Sequence, residues 1–265
     1  MVPVSIVIIT KSLADIVAGC IRMACRITDD IVVIVNDSSN EPIDTSYAGP
    51  CRVYRKAWDG YGANKNKGVE AARHNWILSI DADEIPDEEL IRSLHRLKYN
   101  DPAVVYDIKF RSYFGKQAIH FGSWGRDHHA RLFNRTMVKW SETMVHETLT
   151  LPENVHTEKI NGRLHHFSVK DVAEYDDKGI YYARLSAEKY FRAGIRANAV
   201  KLYISPVFGF LKNYIFCLGF LDGRAGWDIA KANIRHTYRK YHYLSLMENQ
   251  DTKKQPVKDS LVVEY

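Results

Sequence analysis

W-I-L-S-I-D-A-D-E, from Trp76 to Glu84, is the stretch of sequence that decides the fold. Its apolar first half has the length and residue types of a buried strand, and it ends in three carboxylates that include Asp81 and Asp83. Moving an unpaired charge out of water costs much free energy, so these carboxylates indicate a compensating cation. Hard oxygen ligands favour Mg²⁺ or Mn²⁺, which makes Asp83 a candidate metal ligand. The alternative is an acidic helix start, in which Pro86 occupies the first turn.

Further apolar runs precede this strand and alternate with helical patterns. Strands are predicted at 4–9, 31–35 and 52–55, and helices at about 13–26 and 63–73. This alternation predicts a parallel sheet with right-handed crossovers, and a nucleotide-binding α/β half over roughly 1–100. Asp37 follows the second strand, where its carboxylate could accept hydrogen bonds from a nucleoside; a turn-forming aspartate is the alternative. The glycine motifs of dinucleotide dehydrogenases and P-loop enzymes are missing after every strand.

The chain becomes less regular after a helix predicted at 88–97. Strands are expected near 104–110, 113–121 and 130–133, in a partly antiparallel region where aromatic residues such as Trp124 could stack on a sugar ring or form ordinary core. Glu142 and the pair His146-Glu147 are candidates for a general base. The stretch 151–162 is predicted to be a surface loop. One histidine of the pair at 165–166 could complete a metal site begun by Asp83, and we select His166.

The last third of the chain is helical in pattern and basic. Between residues 178 and 246 there are twelve Lys or Arg and three Asp or Glu. Within it, the aromatic and apolar segment 205–221 is interrupted by Lys212 and Asn213. Such a segment suits a helix in the membrane interface with basic neighbours near anionic lipid. It equally suits a core helix docked on the first domain.

Overall composition is that of an ordinary globular protein. The chain has 265 residues and a formal net charge of +5, an excess that fits polyanionic substrates or an anionic membrane. Its four cysteines form no C-x-x-C pair, so we expect reduced thiols in a cytosolic protein. The amino terminus lacks the features of a secretory signal, and no stretch reaches the ~18 to 20 apolar residues that span a bilayer.

Several motifs together resemble a known family. V-S-I-V-I-I-T (4–10), N-D-S-S (36–39), K-N-K-G (65–68) and D-A-D-E (81–84) resemble family 2 glycosyltransferases of the GT-A fold. Later stretches, R-L-F-N-R (131–135), V-H-E (145–147), H-H-F-S (165–168) and K-Y-F-R-A-G (189–194), look like the bacterial branch with the lipopolysaccharide core β-glucosyltransferases. The resemblance covers about residues 2–245.

The resemblance implies roles for individual residues. Thr10, Asp37, Lys65 and Asp81 would line the nucleotide site, with Lys65 where the family usually has Arg. Asp81 would bind the ribose or the metal. Asp83 would hold Mg²⁺ or Mn²⁺, and His166 is our second metal ligand. Many members carry a Glu-Asp or Asp-Asp pair as the motif that contains the base. This chain has His146-Glu147 at that position instead. We therefore select Glu147 as the base, with His146 beside it, and Glu142 as the second candidate. Contacts to the sugar or acceptor are assigned to Trp58, Trp124, Arg131 and Glu142.

The implied fold class is α/β, a GT-A type nucleotide-binding fold with a mostly parallel central sheet and a helical C-terminal region. The predicted domains are a catalytic domain at 1–170, with a nucleotide-binding half at 1–100 and an acceptor half at 101–170, a helical basic region at 171–247 and a tail at 248–265. The implied activity is inverting transfer of glucose or a similar hexose from a UDP-sugar to a cell-surface glycan precursor such as lipopolysaccharide core.

The expected partners are a UDP-sugar donor and a glycan or lipid-linked acceptor, with no nucleic acid. The expected location is the cytoplasm, with the inner face of the cytoplasmic membrane as a further binding surface. Two alternatives remain at this point. One is a metal-dependent phosphohydrolase or nucleotidyltransferase built on Asp81, Asp83 and the histidines. The other is a non-catalytic module that binds polyanions or membranes through the basic third.

Overall fold

A computed structural model describes residues 1–11, 13, 15–37, 51–142 and 147–254. The chain divides into two compact units, one of Met1–Tyr113 with Trp124–Ser168 and the other of Phe114–Ser123 with Val169–Tyr265. The strands of the described residues are β1 (Val4–Thr10), β2 (Ile31–Asn36), β3 (Arg52–Lys56), β4 (Trp76–Asp81), β5 (Glu84–Pro86), β6 (Val104–Phe114), β7 (Gln117–Ala118), β8 (His128–Asn134), β9 (Lys139–Trp140), β10 (Leu149–Thr150) and β11 (His156–Val169). The helices are α1 (Asp15–Ala24), α2 (Tyr61–Ala71), α3 (Glu88–Arg96), α4 (Val172–Arg192), α5 (Ser205–Phe210) and α6 (Gly223–Lys254).

The first unit is built on one large sheet. Its strands lie in the order β3-β2-β1-β4-β8-β6-β11-β5. β1 pairs in parallel with β2 and β4, and β2 pairs in parallel with β3. β8 then joins β4 and β6 antiparallel, and β5 pairs antiparallel with β11. The parallel half matches the predicted βαβ alternation, because parallel neighbours need crossover helices.

β1 and β2 are buried on both faces, as their runs of β-branched residues require, whereas β3 is only partly buried. One cluster of apolar side chains packs on the side of α1 and α3, and a second packs on the side of α2. Gly68 lets α2 approach the sheet closely, because a β-carbon there would lie 2.2 Å from Cγ1 of Val7. This close packing sets the position of the α2 side chains relative to the ends of β1 and β4.

The second unit consists of helices and the segment 114–123. α4 and α6 pack against each other, and Arg235 and Arg239 of α6 both bind the carboxylate of Asp176 on α4. Asp222 is buried, and its carboxylate accepts backbone N–H hydrogen bonds from His120 and Phe121 at 3.1 and 2.8 Å. A buried charge therefore ties the 114–123 segment to the helical part of the same unit.

Helical backbone continues on both sides of α5, because π-helical turns at Val200–Ile204 and Leu211–Phe216 flank it. The chain turns sharply at Leu218, a non-glycine residue at φ 62°. Among the described residues no single helix has the length and apolar character to cross a membrane. Val200–Phe216 and Gly219–Asp251, which are bent by 72° relative to each other, meet the length and composition criteria only when they are taken together.

Candidate active site

The carboxyl ends of the parallel strands gather the predicted nucleotide residues at one edge of the sheet. Thr10 is the last residue of β1 and lies opposite Val35 of β2, and Asp81 ends β4 opposite Ile9 of β1. Asp37 follows β2 directly, and one of its carboxylate oxygens lies 3.1 Å from Nε of Arg55. Strand-end positions of this kind face the ligand crevice of open α/β sheets.

Lys65 is the central cation of this edge. It lies on α2 and is fully buried, an uncommon state for a lysine unless it is paired. Its ammonium nitrogen lies 3.2 Å from Oδ1 of Asp81 and donates to Oε1 of Glu147 at 2.7 Å. The same nitrogen sits 4.6 Å from the ring centre of Trp140. One buried cation thus joins a residue of the D-A-D-E stretch to the predicted base.

Trp140 and Ser141, which precede Glu147 in the chain, are held against α2. Asn66 donates its side-chain N–H to the carbonyl of Trp140 at 3.0 Å and accepts the N–H of Trp140 at 3.1 Å. Gly62 permits contact at the start of the helix, because a β-carbon there would lie 1.8 Å from the carbonyl oxygen of Ser141. β9 and β10 pair on either side of the connection that carries Glu147. These contacts explain how a residue 82 positions away reaches Lys65.

The other two candidates for the base differ in placement. Glu142 is exposed to solvent. His146 lies outside the described residues, which resume at Glu147. Of the three, Glu147 is the candidate that the structure brings to the carboxylate edge.

A second buried cation, Arg131, lies beside the same carboxylates. Its Nη2 donates to Oδ2 of Asp81 at 3.2 Å and also forms an ion pair with Oε1 of Glu84. Glu84 in turn accepts the backbone N–H of Asp81 at 3.0 Å. Arg131, which we had assigned to sugar or acceptor contacts, is thus buried between Asp81 and Glu84.

The two cations and burial shift the pKa values of the carboxyl groups in opposite directions. Burial alone would raise the pKa of Asp81, but the charges of Lys65 and Arg131 outweigh it and hold that pKa well below its usual range. Burial raises the pKa of Glu84 to about 7, against the pull of Arg131 and with a further push from Asp81. Neighbouring carboxyl groups are therefore held in different electrostatic environments, a pattern that is frequent at functional sites.

Asp83 and His166 face each other at the end of the sheet. Nε2 of His166 lies 3.6 Å from Oδ2 of Asp83, and Nδ1 of His166 lies 3.0 Å from the hydroxyl of Ser168. Burial lowers the pKa of His166, but Asp83 outweighs this and raises it. His165, the other member of the pair, instead bonds the hydroxyl of Tyr113 at 2.9 Å.

These donors fit a divalent ion that shares its coordination with a substrate. In the part of the chain that the structure describes, no three His, Cys, Asp or Glu residues converge into a metal cage. Mg²⁺ is usually bound through one or two carboxylates, several waters and the phosphates of a substrate, so a complete protein cage is not required. Asp83, with His166 beside it, supplies a partly exposed donor pair of that kind.

The aromatic residues predicted to contact sugar occupy different settings. Trp58 is partly exposed in the loop before α2 and packs edge-on against Tyr61, with ring centres 4.6 Å apart. Trp124 lies in a short 3-10 turn before β8. Both belong to the first unit, and Trp58 precedes the helix that carries Lys65.

Sequence reasoning missed the supporting residues of the site. Glu84 was noted as part of the acidic stretch but was given no role, although it binds both Arg131 and the backbone of Asp81. Asn66 was quoted only as a letter of the K-N-K-G motif.

Fold and site together define a class: an α/β enzyme of GT-A type, in which carboxylates lie at the carboxyl ends of the parallel strands. The fold class expected from the sequence is confirmed. Residues 5–159 match the model of glycosyl transferase family 2, more than half of the chain. The protein belongs to glycosyl transferase family 2, whose members use a nucleotide-sugar donor and a glycan acceptor.

Relatives from Rickettsia and a solved structure are similar to this chain. An uncharacterized glycosyltransferase of Rickettsia prowazekii (strain Madrid E) is 26% identical over 238 residues, which cover 86% of this chain and 81% of the relative. A second, from Rickettsia typhi (strain ATCC VR-144 / Wilmington), is 24% identical with the same coverage. A crystal structure of Staphylococcus aureus TarS 1–349 aligns with a TM-score of 0.43 and 11% identity, covering 96% of this chain and 93% of that one.

Family membership selects among the hypotheses raised by the sequence. Glycosyltransferase activity is supported over the phosphohydrolase and the non-catalytic module.

Proposed function

We propose that this protein is an inverting, metal-dependent glycosyltransferase that moves glucose or a similar hexose from a UDP-sugar to a hydroxyl of a cell-surface glycan precursor such as lipopolysaccharide core. The observation that carries the proposal is the bridge from Asp81 through Lys65 to Glu147. It joins the acidic stretch at the end of the sheet to Glu147, the carboxylate that we propose as base. The later sequence motifs support the acceptor class, and the location proposed is the cytoplasm, at the inner membrane face.

The proposed reaction is one displacement at the anomeric carbon. The acceptor oxygen forms a bond to C1 while the bond from C1 to the diphosphate oxygen breaks, and Glu147 takes the hydroxyl proton. Attack from the face opposite the leaving group inverts the configuration. When bound, Mg²⁺ or Mn²⁺ would neutralise charge that develops on the diphosphate. Holding the base and acceptor in one cleft supplies part of the rate.

Lys65 has a positioning role in this proposal. Its ammonium fixes the Glu147 carboxylate from one side and Asp81 from the other, and Trp140 covers it. The base is therefore oriented before the substrate arrives, which avoids a reorganisation cost during reaction. Asp37 and Thr10 are proposed to contact the uridine, and Trp58 and Trp124 the sugars.

The donor and metal are tested together by thermal denaturation with UDP, other nucleoside diphosphates and UDP-sugars, each with and without Mn²⁺. A ligand that binds only the native state raises the melting temperature by mass action. We expect a shift with UDP or one UDP-sugar that depends on Mn²⁺ and is lost in Asp83→Asn. Asp29→Asn, an exposed aspartate outside the site, is the matched control. No shift with any nucleotide would remove the proposal.

The base is tested by substitution at the two described candidates. Glu147→Gln should lower kcat by ~10² to 10⁴-fold with nearly unchanged UDP affinity, whereas Glu142→Gln should stay near wild type. Loss of UDP binding in Glu147→Gln would assign Glu147 to the nucleotide pocket instead. The anomeric configuration of the product, measured by NMR, decides whether transfer inverts.

A further inference from the structure

The helix Val200–Phe216 carries an apolar stripe that faces solvent. Its exposed large side chains recur at the three- and four-residue spacing of one helix face, and we call this set the apolar face: Val200, Tyr203, Ile204, Val207, Phe208, Leu211, Ile215 and Phe216. Phe208 is 61% exposed and Phe216 is 72% exposed. Contiguous exposed apolar surface of this kind marks an interaction site, unlike single exposed residues.

The apolar face is not the packing face of its helix. A second stripe, which includes Pro206, Phe210 and Tyr214, points inward. Phe210 and Tyr214 both pack against Trp227 of α6, with ring centres 5.8 and 5.4 Å apart, and Pro206 is buried. The inward stripe already supplies the contact with the rest of the unit. An ordinary surface helix would be polar on its other side, and this one is apolar there too.

The stretch of sequence that carries the apolar face has charge of one sign. From residue 189 to residue 221 the sequence contains five Lys or Arg and no Asp or Glu. Lys212 is exposed within the helix. Beyond the bend, Arg224 is exposed but lies 3.7 Å from Oδ2 of Asp228, so the excess of positive charge belongs to the stretch 189–221. Basic residues beside an apolar helix face are what an anionic lipid surface attracts.

We infer that the apolar face is a docking surface for an anionic phospholipid bilayer, in which the helix Val200–Phe216 lies flat within the interfacial layer. The inference deepens the proposed function and rests on it for the lipid-linked acceptor that such attachment would serve. Seventeen helical residues extend about 25 Å along the membrane plane, enough to seat the whole stripe at once.

The bend that follows the helix continues the surface. Leu218, Phe220 and Leu221 are also exposed beyond it. The turn is tightly built, because a β-carbon on Gly226 would lie 1.9 Å from the carbonyl oxygen of Gly219. A fixed bend holds these side chains next to the helix, so they extend the lipid-facing surface.

The test is co-sedimentation of the full-length protein with two kinds of vesicle: phosphatidylethanolamine containing phosphatidylglycerol, and phosphatidylcholine alone. We expect binding to the anionic vesicles that weakens with added salt. Phe208→Ser with Phe216→Ser should weaken it about a hundred-fold, since each loses the burial of a phenyl ring. Lys212→Glu should weaken it about thirty-fold, because attraction becomes repulsion.

Matched controls lie on α4 of the same unit. Tyr181 is 55% exposed and Lys178 is exposed, and both lie outside the apolar face. Tyr181→Ser and Lys178→Glu should bind vesicles like wild type. Wild-type UDP binding in the Phe208 and Phe216 variant would show that the fold is intact and would separate attachment from donor use.

Several outcomes would overturn the inference. These are no sedimentation with anionic vesicles, equal binding by the apolar-face and control variants, or a dimer in solution that the Phe208 and Phe216 substitutions dissociate. The last result would assign the apolar face to a second copy of the chain. UDP binding would remain in each case, so failure of attachment is distinct from failure of the proposed reaction.

Discussion

Replacing Arg131 by methionine tests the electrostatic account of the site. The substitution keeps much of the side-chain volume but removes the guanidinium that pairs with Asp81 and Glu84. Removing one partner of a buried ion pair costs about 3–5 kcal/mol, because the remaining charge is left uncompensated. For a chain of this size, 1 kcal/mol shifts Tm by about 2–4 °C, so we expect a loss of about 10 °C at pH 7.5.

The pH dependence separates lost charge from lost packing. The pKa of Glu84 is about 7, above its ordinary value of about 4.3, so the folded state binds this proton more tightly than the unfolded state. Its contribution to stability is therefore greatest at low pH and falls as pH rises from about 4.3 to 7. Without Arg131 the pKa of Glu84 should rise further. The Tm deficit of Arg131→Met should thus be smaller at pH 5.5 than at pH 7.5.

Two further variants complete this experiment, which is read by calorimetry or circular dichroism. Arg131→Met combined with Glu84→Gln should recover part of the loss, because one unpaired charge is gone. Arg92→Met, at an exposed arginine on α3, should change stability by less than about 0.5 kcal/mol. An unchanged Tm in Arg131→Met, or a deficit equal at both pH values, would refute the reasoning.

Three other substitutions test contacts that lie within one unit or the other. Asp30→Asn should lower the free energy of unfolding by about 2 kcal/mol near pH 7, because the buried carboxylate binds Ser5 and Arg52. The pKa of Asp30 is lowered despite burial, so this loss of stability, measured by thermal melts, should become smaller as pH falls below about 4. Gly68→Ala should cost about 1–3 kcal/mol by overpacking against Val7, measured by urea unfolding. Asp222→Asn should speed hydrogen exchange at the amides of 120–121, and unchanged rates would contradict the anchoring role.

Local sequence patterns predicted the parallel half of the sheet well. The apolar runs and helical spacings of the first hundred residues correspond to β1–β4 and α1–α3, with ends shifted by a few residues. The stretch 151–162, predicted as a surface loop, was only partly so, because β11 already begins at His156. Pro152 and Asn154 mark a turn, but they do not show how soon the next strand starts.

Contacts between distant positions left no local signal. Arg131 reaches Asp81 because β8 inserts antiparallel beside β4, and nothing near either residue encodes that neighbour. Likewise, helical spacing in 200–216 shows that a stripe exists but not which stripe packs. The inward stripe around Phe210 and the outward apolar face have similar composition, and only the folded structure distinguishes them.

The charge balance of the site bears on the proposed metal. Asp81, Asp83, Glu84 and Glu147 supply four carboxyl groups, and Lys65 and Arg131 supply two cations. Even when Glu84 is protonated, the other three carboxylates outnumber the cations. Both cations are already paired with carboxylates, so neither offers a free charge to a diphosphate without giving up a buried partner. A bare diphosphate would add negative charge to an edge that is already negative. We therefore expect the donor to bind together with a divalent cation, and we propose Asp83, a partly exposed carboxylate beside His166, as the residue that receives it.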